Sequence, residues 1–194
     1  MKTHGWWGVL ACVAVTLLTG GCGGGTSQGD TDGGGSGGLF PTGVDSSAKP
    51  LATGATDPHY TLSSNDPSFP GPDAIVVGQE GPNWVPPDAS SMWISIQPSA
   101  QSGGHTYTYT TTFTVSGDPT SASISGMLAC DDLCTVSLNG TQVVSVPSPA
   151  WHTKTTLSIP AGSPFQSGSN TLSFAVTNLG NVTGLEVFQI ALSD

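Results

Sequence analysis

A short acidic segment between two cysteines carries the clearest chemistry in this sequence. Cys130 and Cys134 flank Asp131 and Asp132, so two carboxylates share one short loop. Carboxylate oxygens are ligands that a hard cation such as Ca²⁺ accepts, and Asp57 could add a third if its segment runs alongside. The alternative interpretation is a solvated turn, in which Asp serves local backbone hydrogen bonds. Calcium at Asp57, Asp131 and Asp132 is therefore one hypothesis, and no other cofactor is expected.

Tryptophans that could stack on a sugar ring are the second chemical feature. Trp84 and Trp151 lie in loop-like segments and could form an exposed platform, although packing over the edge of the fold is an equal alternative. Trp93 stands between Met92 and Ile94 in a strand-like run and is expected in the core. If the chain has a ligand site, we predict it at the loops that carry Trp84, Trp151 and the two adjacent aspartates.

Residues for catalysis form no recognisable constellation. His59, His105 and His152 are scattered, and no Gly-x-Ser-x-Gly nucleophile motif occurs. Two carboxylates hydrolyse a glycosidic bond by flanking it, which neighbours on one loop cannot do. The chain is therefore predicted to be non-catalytic, with an unusual glycoside hydrolase kept as an alternative.

The charge balance excludes whole classes of partner. The chain has 13 acidic residues against 3 basic ones, and no arginine. Nucleic-acid binding requires a basic surface, and sites for phosphate or carboxylate ligands commonly use arginine. Nucleic acid is therefore not expected as a partner; the partner classes that we consider are carbohydrate and a cell-surface protein.

The first 21 residues have the pattern of a secretory signal peptide. A short polar start precedes an apolar run from Trp6 to Leu18, which is too short to span a bilayer comfortably. The small residues before Cys22 resemble a bacterial lipobox, and this resemblance implies cleavage before Cys22 and its lipidation. Thr19 stands where that pattern prefers Leu, so ordinary secretion is the alternative. The predicted location is extracytoplasmic, either secreted or lipid-anchored to the bacterial cell envelope, with membrane contact only through the N-terminal lipid.

Two further segments follow the signal. Residues 22–50 are rich in Gly, Ser, Thr and Asp, with Leu39-Phe40-Pro41 as the main apolar interruption. Such a composition cannot bury a core and predicts a flexible tether. Residues 51–194 regain aromatic and branched side chains at regular spacing, which predicts one folded domain of ordinary size.

The cysteines can be assigned from these segments. Cys12 leaves with the signal and Cys22 takes the lipid, so Cys130 and Cys134 remain as a pair. In an oxidising compartment such a pair is expected to form a disulfide. Two cysteines alone make a poor zinc site, and therefore the disulfide is the prediction.

Apolar residues alternate with polar ones at a period of two along residues 51–194. In residues 106–115, Tyr107, Tyr109, Phe113 and Val115 share one face, whereas residues 185–192 are partly apolar on both faces, as in a central strand. Asn139-Gly140 predicts a tight hairpin turn. Strands are predicted at 59–62, 74–77, 92–97, 106–115, 121–129, 133–138, 142–146, 155–159, 172–177 and 185–192. The expected fold is all-β, an antiparallel β-sandwich of jelly-roll type.

A series of short motifs suggests a family. Their order is Asp57-Pro-His-Tyr-Thr-Leu62, Ser91-Met-Trp-Ile94, Tyr107-Thr-Tyr-Thr-Thr-Thr-Phe113, Ala122-Ser-Ile-Ser-Gly126, Asp131-Asp132 with Leu138-Asn-Gly140, Gly168-Ser-Asn-Thr-Leu172 with Val176-Thr-Asn178, and Gly184-Leu-Glu-Val187. From Leu51 to the C-terminus the chain thus resembles the galactose-binding-like β-sandwich of bacterial exported proteins and glycosidases. The resemblance implies a jelly roll. It implies no single ligand, because members include carbohydrate binders, adhesion modules and packing domains.

These patterns together predict a non-catalytic extracytoplasmic binding or adhesion module, displayed on the cell envelope, with carbohydrate as the leading ligand class. The other hypothesis is a structural envelope protein that packs against a protein partner. An exposed apolar patch without convergent polar groups would favour that second hypothesis.

Overall fold

A computed structural model describes residues 36–81, 83–97 and 103–194. Apart from a short 3₁₀ turn at Ser36–Gly38, the regular elements in these ranges are ten strands. They are β1 (Thr56–Ser64), β2 (Asp73–Val76), β3 (Ile94–Ser95), β4 (His105–Val115), β5 (Ser123–Asp131), β6 (Leu133–Leu138), β7 (Thr141–Val146), β8 (Thr155–Ile159), β9 (Gly168–Asn178) and β10 (Gly184–Ser193). The prediction of an all-β chain is confirmed.

The strands form one continuous antiparallel ladder that folds over into two layers. Its order is β7-β6-β9-β4-β1-β2-β3-β10-β5-β8. Strands from the two halves of this order also meet face to face, because β5 contacts β9 and β7 contacts β8. Buried side chains from both halves form one large apolar core. The architecture is therefore an antiparallel β-sandwich, as predicted.

The pairing of the middle strands is that of a jelly roll. β4 pairs with β9, β5 with β8 and β6 with β7. These pairs are nested, as in a long hairpin that has been rolled up, and they alternate between the two layers. Consecutive strands β5 and β6 therefore lie in different layers, and the chain crosses between them at a single residue, Asp132.

Alternation along the strands places the core as predicted. Tyr107, Tyr109, Phe113 and Val115 of β4 are all buried. In β10, five successive residues from Gly184 to Phe188 are buried, because this strand lies between β3 and β5 and is covered on both faces. The second face packs in a smaller cluster that includes Trp93, and its predicted core position is confirmed.

The folded unit begins earlier than predicted. Leu39, Thr42 and Val44 are fully buried, Val44 pairs with Pro50, and the amide of Thr42 donates to the carbonyl of Val187 at 3.2 Å. The prediction of a flexible tether is therefore wrong for residues 36–50. The apolar interruption at Leu39 is the reason, because its side chain joins the main core.

The N-terminal predictions concern residues outside those that the structure describes. They are the signal peptide at 1–21, lipidation at Cys22 and the first part of the tether. Within the described ranges, no helix is both long and apolar enough to cross a membrane.

The hairpin turn between β6 and β7 gives a first testable prediction. Asn139 and Gly140 both have positive φ, 50° and 79°, as a type I′ turn requires. The Asn139 amide also donates to Pro164 O and Asn170 Oδ1, each at 2.8 Å, and its Oδ1 accepts from Thr171 N at 2.9 Å. Asn139→Ala should lower the free energy of unfolding by about 3 kcal/mol, since it removes three hydrogen bonds and disfavours this φ. Chemical denaturation measures the loss.

Gly140→Ala is the matched control for that variant. An added Cβ at Gly140 meets no atom within 4 Å, so this substitution changes only the backbone preference, at about 1 kcal/mol. Equal losses in the two variants would show that the hydrogen bonds of Asn139 contribute nothing.

Candidate functional site

A cavity of about 410 Å³ lies at one end of the sandwich, where β5 gives way to β6. Three loops and the crossover form its wall. The lining residues are Glu80, Gly81, Asn83, Trp84, Asp131, Asp132, Trp151, Gly180, Asn181 and Val182. The four residues that the sequence analysis singled out for a ligand site, Trp84, Trp151, Asp131 and Asp132, are thus brought together around one cavity.

Strand pairing fixes the two aspartates. Asp131 is the last residue of β5 and pairs with Gly184 of β10. The amide of Asp132 donates to Thr177 O, and its carbonyl accepts from Ala150 N, both at 3.2 Å. The segment that was expected to be an acidic loop is therefore a strand end and a one-residue crossover, held by backbone pairing on both sides.

Asp131 is held by a tryptophan. Its side chain is only 6% exposed, and Oδ2 accepts a hydrogen bond from Trp84 Nε1 at 2.6 Å. Burial, and to a smaller extent the neighbouring Asp132, raise the pKa of Asp131 to about 7 against the opposing effect of the Trp84 hydrogen bond. A buried carboxylate beside a like charge prefers its neutral form.

Asp132 holds the loop that closes the other side of the cavity. Its Oδ2 accepts from the amide of Leu179 at 2.6 Å, and Thr183 Oγ1 donates to the carbonyl of Asp131 at 2.9 Å. Both ends of residues 179–183 are thereby fixed to the aspartates, which brings Asn181 and Val182 into the wall.

Trp84 is an inner wall of the cavity. Its side chain is 2% exposed, and its ring stacks on Trp93 with centroids 4.1 Å apart. A Cβ added at Gly81 or Gly184 would lie 2.8 Å from the Trp84 ring, so both glycines allow the ring to approach closely. Of the two alternatives for this residue, packing at the sandwich edge is the one observed.

Trp151 is the more accessible of the two tryptophans. It is partly exposed, and its carbonyl accepts from the amide of Val85 at 2.7 Å. This backbone bond joins the 78–92 loop to the 147–154 loop, so that the two tryptophans line the same cavity. The geometry leaves part of the Trp151 indole available for contact with a ligand.

Several lining residues were not singled out from the sequence. Glu80 and Asn83 come from the Gly- and Pro-containing loop before Trp84, and Asn181 from the turn after β9. Burial raises the pKa of Glu80. The signal in the sequence was the presence of polar residues within Gly-rich turns. Such residues indicate loops, but they do not show which loops come together in space.

The cysteine pair differs from prediction. Cys130 and Cys134 are free thiols, and both are fully buried. A hydrogen bond to Cys134, together with burial, raises the pKa of the Cys130 thiol far above its usual range. The two thiols lie at the second-last position of β5 and the second position of β6, inside the main core, where a protonated thiol packs as a small apolar group. The predicted disulfide is absent from this structure.

Asp57 is not part of the cavity. Its carboxylate accepts from the amides of Gly43 at 2.6 Å, His59 at 2.7 Å and Tyr60 at 3.2 Å, so it binds the N-terminal segment to β1. The expected grouping of Asp57 with Asp131 and Asp132 is therefore not formed. Among the residues that the structure describes, no group of three or more His, Cys, Asp or Glu side chains could hold a metal ion.

The comparisons with known proteins show only distant similarity. No protein-family model and no curated protein matches the chain. Among solved structures, the carbohydrate-binding module TmCBM61, solved with β-1,4-galactotriose, has a TM-score of 0.46 at 10% identity over 72% of this chain and 90% of its own. A family 35 carbohydrate-binding module from an environmental isolate has a TM-score of 0.40 at 12% identity over 75% and 90%.

A third similar structure is much longer than this chain. It is the enzymatically active domain of tailspike protein 4 of bacteriophage CBA120, with a TM-score of 0.43 at 14% identity over 70% of this chain but only 19% of the other. Similarity at TM-scores below 0.5 identifies no ligand, so the chemistry of the cavity must be derived from its own residues.

Proposed function

We propose that this protein is a non-catalytic carbohydrate-binding module that works outside the cytoplasm, and that glycan binds in the cavity between Trp84 and Trp151. One observation carries the proposal. A single cavity combines a partly exposed indole with carboxylates and side-chain amides, and these groups converge from separate loops.

The lining matches the two kinds of surface that a sugar presents. A pyranose has an apolar C–H face, which packs on an indole, and a rim of hydroxyl groups, which need acceptors and donors. Trp151 supplies the indole. Asp132, Glu80 and the amides of Asn83 and Asn181 supply the polar groups. A volume of about 410 Å³ lies within the range of small-molecule sites.

The rest of the surface favours this cavity over a packing interface. Leu179 is the one large hydrophobic side chain that is exposed among the described residues, at 63%. A module that packed against a protein partner through an apolar patch would expose more. A single exposed side chain of this kind does not form an apolar patch.

The arrangement of the two aspartates supports a binding role rather than catalysis. Asp131 and Asp132 are neighbours in sequence, and each has an oxygen engaged by a protein N–H group. Glycosidases place their two carboxyl groups on either side of the scissile bond. Adjacent side chains fixed to the same wall are suited to gripping hydroxyl groups.

Display on the cell envelope is the second part of the proposal. A signal peptide at residues 1–21, lipid on Cys22 and a short Gly-rich tether would place the sandwich outside the membrane that holds the lipid. Because the folded unit starts before residue 40, the tether is shorter than the composition suggests.

A glycan-panel screen followed by titration calorimetry tests the function. We expect binding to the full chain, and Trp151→Ala should weaken it at least about tenfold, as loss of an aromatic contact does. Phe69→Ala is the matched control, because Phe69 lines a separate cavity of about 250 Å³. Binding to no glycan, or equal loss in both variants, would contradict the proposal.

The same titration decides the role of calcium. If Ca²⁺ binds at Asp131 and Asp132, a chelator should abolish glycan binding and Ca²⁺ should restore it. Binding that is unchanged by the chelator would keep the carbohydrate site and remove the metal from it.

A further inference from the structure

We infer that the cavity selects glycans that carry a free, protonated amino group over neutral or acidic glycans of the same length. This inference rests on the proposed carbohydrate function and specifies its ligand class. It follows from the charge, the burial and the aromatic walls of the cavity.

The lining contains acid groups and no base. Glu80, Asp131 and Asp132 contribute carboxyl groups, whereas no Lys, Arg or His is among the lining residues. Lys154, one of the chain's few cations, is engaged elsewhere, 3.3 Å from Asp88 and 3.9 Å above the Phe188 ring. An acidic sugar entering the cavity would therefore meet like charge without a counter-ion, which costs affinity.

The aspartates present acceptor oxygens at the wall of the cavity. They are 6% and 8% exposed, and for each of them one protein N–H group donates, Trp84 Nε1 to Asp131 and Leu179 N to Asp132. A carboxylate offers about four lone-pair sites. The proximity of Asp132 helps to raise the pKa of Asp131, and a cation beside the pair would favour the ionised form of both side chains. An ammonium group supplies both the charge and three N–H donors.

The aromatic walls favour an organic cation over a metal ion. Ca²⁺ takes six to eight oxygen ligands, whereas this cavity offers the partly exposed Trp151 indole beside Val182 and is far larger than an ion. Indole faces attract an ammonium group and also pack on the C–H face of the ring that carries it. A sugar amine therefore matches both parts of the lining.

Titration calorimetry of the full chain with a glucosamine trimer and with its fully N-acetylated counterpart tests the inference, at a pH where the amine is protonated. The free-amine trimer should bind at least about tenfold tighter. The difference in affinity between the two trimers should become smaller at high salt. It should not disappear, because partly buried charges are screened less than exposed ones. Asp132→Asn should reduce the advantage to less than about twofold, because it removes one of the facing charges.

Asp73→Asn is the control, since Asp73 lines the second cavity and its loss changes the net charge of the protein by the same amount. If Asp132→Asn and Asp73→Asn reduce the affinity advantage of the free-amine trimer equally, the amine is attracted to the overall charge of −10. That result would overturn the inference. If both trimers bind equally, the inference fails and the proposed function stands. If neither trimer nor any other glycan binds, both fail.

Discussion

Trp84→Ala should lower the free energy of unfolding by about 3–5 kcal/mol, the usual loss for a buried tryptophan. The ring is 2% exposed and stacks on Trp93, and it fills the space that Gly81 and Gly184 leave open. The substitution also removes the donor that holds Asp131 Oδ2 at 2.6 Å, which leaves a buried carboxyl oxygen without its partner. Chemical denaturation followed by circular dichroism measures the loss of stability.

Trp84→Phe separates packing from hydrogen bonding. Phe keeps an aromatic ring against Trp93 but has no N–H group for Asp131. We expect it to lose about 1–3 kcal/mol, the cost of an unsatisfied buried acceptor together with a small cavity. A Trp84→Ala variant within about 1 kcal/mol of the wild type would mean that the ring is not packed against Trp93 in the folded protein. Equal losses in Phe and Ala would assign the whole effect to the hydrogen bond.

Local signals in the sequence were sufficient for the strands and their central turn. Alternation identified the buried face of β4, and Asn139-Gly140 identified the β6–β7 hairpin, because both patterns depend on neighbouring residues only. The strand at 92–97 was predicted too long. Only Ile94–Ser95 pairs, while Trp93 Nε1 donates to Val85 O and ties the preceding residues to the covering loop.

The candidate site was predictable in its residue types but not in its geometry. The tryptophans and adjacent aspartates that the sequence singled out line one cavity. Trp84 and Asp131 are 47 positions apart, however, and no sequence pattern shows that one donates to the other. The folded segment at residues 36–50 was not predicted, for a similar reason. One apolar residue, Leu39, in a Gly-rich stretch has no periodicity, and only long-range packing makes it part of the core.

The buried glutamate Glu186 should make stability fall as pH rises. Its side chain is fully buried, Oε1 accepts from Ser91 Oγ at 2.8 Å, and Oε2 has no partner among the described residues. Burial is the main reason that the pKa of Glu186 is raised to about 8. The Ser91 hydrogen bond and Lys154 lower this pKa, whereas Asp88 raises it. In the unfolded chain the pKa is near 4.3. The neutral form therefore stabilises the fold fully below about pH 4, and this contribution is lost as pH rises through 8.

Glu186→Gln should remove that dependence, because an amide stays neutral at every pH. At pH 8.5 the variant should be more stable than the wild type by about 2–4 kcal/mol, and at pH 5 the two should be within about 1 kcal/mol. Asp131, whose pKa is about 7, also makes the free energy of unfolding fall as pH rises, and this fall remains in the Glu186→Gln variant. Thermal denaturation between pH 5 and pH 8.5 measures both slopes.

Glu80→Gln is the matched control, because Glu80 is the chain's only other glutamate and is far less buried than Glu186. Burial raises the pKa of Glu80 as well, but because this side chain is only partly buried we expect the variant to change the slope of stability against pH far less than Glu186→Gln. If Glu186→Gln were less stable than the wild type by the same amount at pH 5 and at pH 8.5, the carboxyl group would be ionised throughout that range. Glu186 would then need a counter-charge closer than Lys154, whose amine is already bound to Asp88 at 3.3 Å.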